Sequence, residues 1–281
     1  IDYGKTIAGF ASSAIDISDG FLQDLGHLSK ASNVGFELSS SSISKIYLCD
    51  FNEMKAVIRF DNAIASKLAI DRQNEINILQ GITHLDLAPE VLYSDIKAGI
   101  MIWKYISGIE PYFVEDNEKS YTLYELGACL YSLHSFPIPE HSIDIFSNSM
   151  VLYQGLIDNP SDKLMFNKAL SLYNELNKDG ASKVLSHNDL HRSNLLWNQK
   201  YYFLDWEYSG LNHPCFDIAS LVKSFQFNQS QITEFSLGYK GNNELFHIDI
   251  LKQWIEFIDY LEEIWRLSVT KILETPKFKD A

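Results

Sequence analysis

Cysteine is scarce in this sequence: Cys49, Cys129 and Cys215 are the whole complement in 281 residues. An odd number without framework spacing excludes a disulfide-stapled secreted scaffold, and the lack of any CxxC pair argues against structural zinc. All three are expected as small buried hydrophobes in a reducing, cytoplasmic setting. Long apolar runs are missing as well. No stretch approaches the ~18 residues that a membrane span requires, and no basic segment leads into an apolar one at the N-terminus, so no leader is read there. Positive charge is in deficit, with 23 Lys and Arg against 37 Asp and Glu and a net charge of −14. An acidic surface repels nucleic acids and anionic membranes, which are not expected as partners, and it suits cationic small molecules. The same charge also serves solubility. No internal repeat or low-complexity tract is visible. The 46% of hydrophobic residues is enough for one large core or two modest lobes.

Apolar periodicity divides the chain into a strand-rich first part and a helical second part. Residues 14–17 read as a strand end and 21–31 as a helix. Phe36-Glu37-Leu38 precedes four serines, Ser39 to Ser42. Residues 45–48 and 56–60 read as strands of a hairpin around a polar turn at 50–53. A helix is expected over 63–79, then strands at 91–94 and 99–105. Beyond Gly108, a plausible hinge, helices are expected at 121–134, 164–176 and 248–272, interrupted by a short β block at 183–185, 194–197 and 202–204.

One constellation stands out. Ser186-His187-Asn188-Asp189-Leu190-His191-Arg192-Ser193-Asn194 lies between two short strands, and Asp205 follows in Leu204-Asp205-Trp206-Glu207. The spacing H-x-D-x-x-x-x-N, strand, D-W-E supplies the parts that phosphoryl transfer needs. One carboxylate, Asp189, can orient and deprotonate an attacking hydroxyl, and hard oxygens from Asn194 and Asp205 suit Mg2+. A hairpin would fold these last two positions together.

On these residues the chain resembles the aminoglycoside phosphotransferase and choline kinase-like superfamily, over roughly 37–281. The resemblance implies an α+β, bilobal, protein-kinase-like fold: a small β-rich N-lobe over 37–107 and a larger, mainly helical C-lobe over 108–281 with the catalytic and substrate sites. It implies ATP and Mg2+ as cofactors. Asp189 would be the catalytic base and His187 would order the loop. Asn194 and Asp205 would bind magnesium, and Asp217, in Phe216-Asp217-Ile218-Ala219, would anchor the catalytic loop through backbone amides. Leu133-His134 matches the family's L-x-x-L-H signature. Arg59 stands at the phosphate-binding lysine position, with Glu75 as its helix partner. Residues 100–108, with Trp103 and Tyr105, resemble the connector that holds adenine. One departure is a shortage of glycine: the nucleotide loop aligns with a serine run, leaving Ser40 and Ser41 to offer N–H groups and hydroxyls to phosphate.

The implied acceptor is a small molecule carrying a hydroxyl. Choline kinases hold their cation with aromatic and acidic groups, and here Trp265, Glu262, Tyr208, Glu207 and Trp254 are the candidates. Choline or ethanolamine is the first expectation. Thiamine and aminoglycosides remain open, as do a non-catalytic nucleotide-binding pseudokinase and the oligomeric state. Residues 3–44 resemble a piece of thiamine-monophosphate kinase, through Ala14-Ile15-Asp16-Ile17-Ser18-Asp19-Gly20-Phe21 and Asp24-Leu25-Gly26-His27. With so little of that family's chain, 1–36 is expected to be non-functional.

Overall fold

The computed structural model describes residues 36–40, 44–62, 64–113, 120–138, 142–178, 183–240 and 243–275. The strand and helix expected before residue 32 lie outside the described residues, as does Ser41.

The first part is an antiparallel five-stranded sheet built from β1 (Phe36–Ser40), β2 (Ser44–Phe51), β3 (Met54–Asp61), β4 (Val91–Asp95) and β5 (Ile100–Lys104), in the order β1-β2-β3-β5-β4. β2 and β3 form the expected hairpin, closing at the Phe51↔Met54 pair. Asn52 and Glu53 both take left-handed φ, 49° and 64°. That is the twist-matched two-residue connection of a hairpin, adopted here without glycine. Strand alternation sorts the side chains of β3. Ala56, Ile58 and Phe60 join Tyr47, Cys49 and Ile102 on one face. Val57 and Arg59 point to the other, with Ile46 and Trp103, into a cleft. Arg59 is thus aimed by register.

The expected helix at 63–79 is corrected. The chain forms a 3-10 turn at Ala65–Leu68, reverses through Ala69 at φ 60°, and restarts as α1 (Arg72–Gly81). The break has a local cause: the Asp71 side chain accepts the N–H groups of Gln73 and Asn74 at 2.9 and 3.0 Å, capping a new helix.

The second part is helical, with α2 (Leu123–His134), α3 (Ile145–Leu156), α4 (Pro160–Leu176), α5 (Cys215–Phe225), α6 (Gln229–Tyr239) and α7 (Ile248–Leu273). Helix α7 packs on α3, α4 and α5, burying Leu251, Trp254, Phe257 and Ile264. Three more short strands join β6 (Val184–Ser186) here: β7 (Leu195–Trp197), β8 (Tyr201–Phe203) and β9 (Gly210–Asn212). β7 and β8 form the expected hairpin, but β6 pairs with β9, through Leu185↔Leu211. The α+β, two-part architecture is therefore as expected. No described helix is long and apolar enough to cross a membrane. Cys49 and Cys215 are buried, whereas Cys129, on α2, is only half-buried.

Helices α2 and α6 touch backbone to backbone. A Cβ on Gly127 would lie 2.1 Å from the Phe235 carbonyl oxygen, and one on Gly238 1.8 Å from that of Tyr124. Gly155, on α3, faces open space. Gly238→Ala is therefore expected to destabilise the fold by about 1–3 kcal/mol in denaturant unfolding. Gly155→Ala should be neutral or stabilising by up to ~1 kcal/mol; equal effects at the two sites would disprove the close approach.

Candidate active site

The loop between β6 and β7 is held by a carboxylate beneath it. Asp217, in the first turn of α5 and fully buried, accepts the backbone N–H of His187 at 2.8 Å and of Asn188 at 2.9 Å. His134 Nε2 lies 3.1 Å from the same carboxylate, and its Nδ1 is 2.7 Å from the Tyr239 hydroxyl. Asn188 takes a left-handed φ of 66°, which Asn tolerates better than most residues. Its amide donates to the Tyr208 carbonyl and accepts from Asn212 Nδ2, each at 2.9 Å. His187 is fully buried, 4.7 Å from the Trp206 ring. Its Nε2 donates to the Leu204 carbonyl at 2.9 Å, while Nδ1 has no partner. Burial pushes its pKa down to about 4, against the opposing pull of Asp217. His187 is therefore a neutral strut between the loop and the strand end that carries Asp205.

This frame gathers three of the sequence candidates. Asn194 Nδ2 donates to both the Asp189 carbonyl and its Oδ2, each at 2.9 Å. The ladder of β7 and β8 runs on through Leu204 N–H to the Asn194 carbonyl at 2.8 Å. Asp205 comes next, at φ 62°, and it lines the cleft beside Asn194. Desolvation, then the charges of Asp205 and Glu207, hold the Asp189 carboxyl well above its ordinary range. Its side chain is 37% exposed, so the charged form keeps part of its hydration. Asp205 is exposed in the same sense, and burial pushes it up too, opposed by Arg59 and Arg72.

The cleft holds about 920 Å³. Ile46, Val57, Met101 and Trp103 line it from the sheet, and Leu196 and Leu204 from the second part, making a flat apolar slot. The connector that includes Tyr105 borders it and is pinned by Ile109 N–H to Trp197 O at 3.0 Å and the reciprocal bond at 2.8 Å. Gly108 is required there, because a Cβ would stand 2.7 Å from the Trp197 carbonyl oxygen. At the inner end Arg59 grips Glu75 with both guanidinium arms, at 2.8 and 2.7 Å. Ser40 ends the described part of β1.

The remaining acceptor candidates are not among the residues that line this cleft. Trp265 Nε1 donates to the Tyr208 hydroxyl at 2.9 Å. Glu207 is buried and ion-paired with Arg72 at 2.9 Å. Glu262 is exposed and bound to Lys223 at 2.6 Å, beside Asp259. Trp254 is a correction: it is wholly buried, stacked on His213 with ring centroids 5.0 Å apart, and no ligand can reach it. Sequence reading overlooked Arg72 and Asn74 on α1, Asp61 at the end of β3, and His191, whose Nε2 lies 3.7 Å from Asp189 Oδ2. Only the Arg72/Glu75 spacing of three hinted at the first of these.

Comparisons with known proteins fit this geometry. The model of a family described as the phosphotransferase enzyme family matches residues 37–251. The protein LicA of Haemophilus influenzae is 28% identical over 211 residues, covering 71% of this chain and 77% of that one. Among solved structures, the choline kinase LicA of Streptococcus pneumoniae aligns with a TM-score of 0.71 at 22% identity, over 90% of this chain and 91% of that one. A LicA structure in complex with AMP aligns at 0.68 and 22%, over 92% and 91%.

A pH dependence follows from His187. Unfolded, it binds a proton near pH 6.5; folded, it resists one until about 4. Its contribution is complete above pH 6.5 and is lost as pH falls towards 4, by up to roughly 3 kcal/mol. Calorimetric melting should show this decline. His187→Gln, which keeps a donor for Leu204 but cannot titrate, should flatten it; an unaltered slope would place the acid sensitivity elsewhere.

Proposed function

We infer that the chain, which belongs to the phosphotransferase enzyme family, transfers the γ-phosphate of ATP to the hydroxyl of a small cationic alcohol, choline or ethanolamine. The observation that carries this reading is the placement of Asp189. Its carboxylate sits beside Asn194, on a loop fixed by Asp217, next to a slot of nucleotide size that Asn194 and Asp205 line.

In this reading Asp189 is the general base. Burial raises its pKa, which makes the carboxylate a stronger base towards a hydroxyl proton. Arg59, oriented by Glu75, places positive charge at the inner end of the slot, where phosphates would lie. The slot accepts a purine between Val57 and Leu196, with Trp103 and Tyr105 alongside. Tyr208 and Trp265 offer π faces to a quaternary or primary ammonium, and Glu207 and Glu262 add negative charge. The LicA structure called a choline kinase favours choline among the acceptors.

Mg2+ suits the donor set. Among the described residues no group of three or more His, Cys, Asp or Glu is arranged to hold a metal alone. Magnesium does not need one, because it is commonly held by one or two carboxylates together with nucleotide phosphates. Burial first, then Asp205 and Glu207, raise the pKa of Asp189, and burial and then Asp205 raise that of Glu207, so the site gathers acidic oxygens. Asp205 and Asn194 would hold the ion, which would supply positive charge to neutralise the phosphates.

The test is an ATP-dependent phosphorylation assay over choline, ethanolamine, thiamine and an aminoglycoside. Transfer to choline or ethanolamine is expected. Transfer only to thiamine or the aminoglycoside would overturn the acceptor assignment, and nucleotide binding without any transfer would establish a pseudokinase. Asp189→Asn should lower kcat by about a thousandfold while nucleotide binding persists. Trp265→Ala should raise the acceptor KM about tenfold with little change for ATP; equal rises would mean a packing defect.

A further inference from the structure

Helix α1 carries more of the site than Glu75 alone. Its first residue, Arg72, is nearly enclosed, with 10% of its side chain exposed, and it meets three carboxylates. Nη1 lies 3.0 Å from Glu75 Oε2 and 2.9 Å from Glu207 Oε2, and Nη2 lies 2.7 Å from Asp61 Oδ1. Asp61 in turn stands 3.0 Å from Arg59 Nε. Two residues further along α1, the buried Asn74 donates from Nδ2 to the Ser209 carbonyl at 2.8 Å. Two side chains of one helix thus grip the segment Glu207-Tyr208-Ser209, which begins two residues after Asp205.

The charge arithmetic makes Arg72 indispensable to Glu207. Arg59 is committed to Glu75 by a bidentate pair and to Asp61 through Nε. Glu207 is buried, and Arg72 is its ionic partner among the described residues. Without Arg72 the buried Glu207 carboxylate would lose its ion pair and turn away from this position, because an unpaired buried charge is strongly disfavoured. A lysine would preserve the charge. It would lack the planar fork that reaches Asp61 with one arm and both glutamates with the other.

We propose that Arg72 is a positioning residue, fixing Glu207 beside Asp205 and, with Asn74, bolting α1 to the segment that bears the acceptor-side groups. One rigid helix then sets both the Arg59–Glu75 pair of the nucleotide slot and the carboxylate of the acceptor side. The helix is joined to the second part by its own side chains. This proposal rests on the kinase reading above, and it adds a residue that acts through Glu207.

The experiment is a double-mutant cycle of Arg72→Gln and Glu207→Gln, read in kcat/KM for choline at saturating ATP and in the Mg2+ concentration that supports half-maximal AMP-PNP binding. Arg72→Gln alone is expected to weaken one or both by about 10–100-fold. The double variant should match Glu207→Gln to within about twofold, because Arg72 acts through Glu207. Losses that multiply would show Arg72 acting independently and overturn the proposal. If Arg72→Gln does not fold, Arg72→Lys decides. Weaker acceptor kcat/KM or metal dependence with an unchanged melting transition supports the positioning role; wild-type behaviour in both sinks it. Should wild-type protein bind Mg2+ and AMP-PNP yet phosphorylate no acceptor, the kinase reading fails by itself. The cycle read in Mg2+ dependence still decides for or against the Arg72–Glu207 coupling.

Discussion

The site depends on one buried carboxylate. Asp217 is wholly enclosed, and an enclosed anion is tolerable only when donors surround it. Here they are two consecutive amides of the 187–188 turn and the ring of His134. The loop therefore cannot relax without exposing the charge to a protein interior that has no substitute donors. Placing Asp217 in the first turn of α5 adds the favourable field of the helix N-terminus. Through Tyr239, the other end of His134 ties the arrangement to α6, whose backbone meets α2 at Gly127 and Gly238. The order of the 187–194 loop is thus set by the packing of three helices.

The loop so fixed holds conformations that would be costly elsewhere. Asn188 and Asp205 both occupy the left-handed region, at 66° and 62°, which disfavours residues other than glycine by roughly 1–2 kcal/mol each. Both are residues whose short polar side chains reduce that cost, and both flank the reactive carboxylate. Asn188 offsets it with two side-chain bonds. The strain therefore lies where the surrounding bonds over-determine the backbone, the usual situation of strained residues at working sites.

Much of this was legible because it is local. The spacing from His187 to Asn194 and on to Asp205 encodes a loop and a hairpin, and the Leu195↔Phe203 register realises it. Alternation along residues 56–60 aimed Arg59, and the three-residue step from Arg72 to Glu75 puts both on one helix face. What could not be read was long-range. β9 has three residues, too few for a period, and its partner β6 lies more than twenty positions away. α5 is buried on nearly every side, from Cys215 through Ala219 and again at Leu221 and Val222, so it shows no polar face to reveal a helix. The break at Ala69 lay hidden in a continuous apolar pattern until Asp71 was seen to cap the next helix. Trp254 looked like a ligand-facing aromatic because periodicity names a face, and only packing says what covers it.

The electrostatic balance explains why acidity overall and two arginines at the site belong together. Around the inner cleft, Asp61, Glu75, Asp189, Asp205 and Glu207 outnumber Arg59 and Arg72. The arginines are spent on Glu75, Asp61 and Glu207, which leaves Asp189 and Asp205 without an arginine or lysine in ion-pair contact among the described residues. The paired acids are fixed in place by those guanidinium arms. Asp205 lines the cleft, and burial pushes up the carboxyls of both Asp189 and Asp205. A site meant only to bind a triphosphate would place its cations against the phosphates and would gain nothing from leaving two carboxylates there uncompensated. An arrangement that tolerates that repulsion makes sense when a divalent ion arrives with the nucleotide and a hydroxyl proton has to be removed.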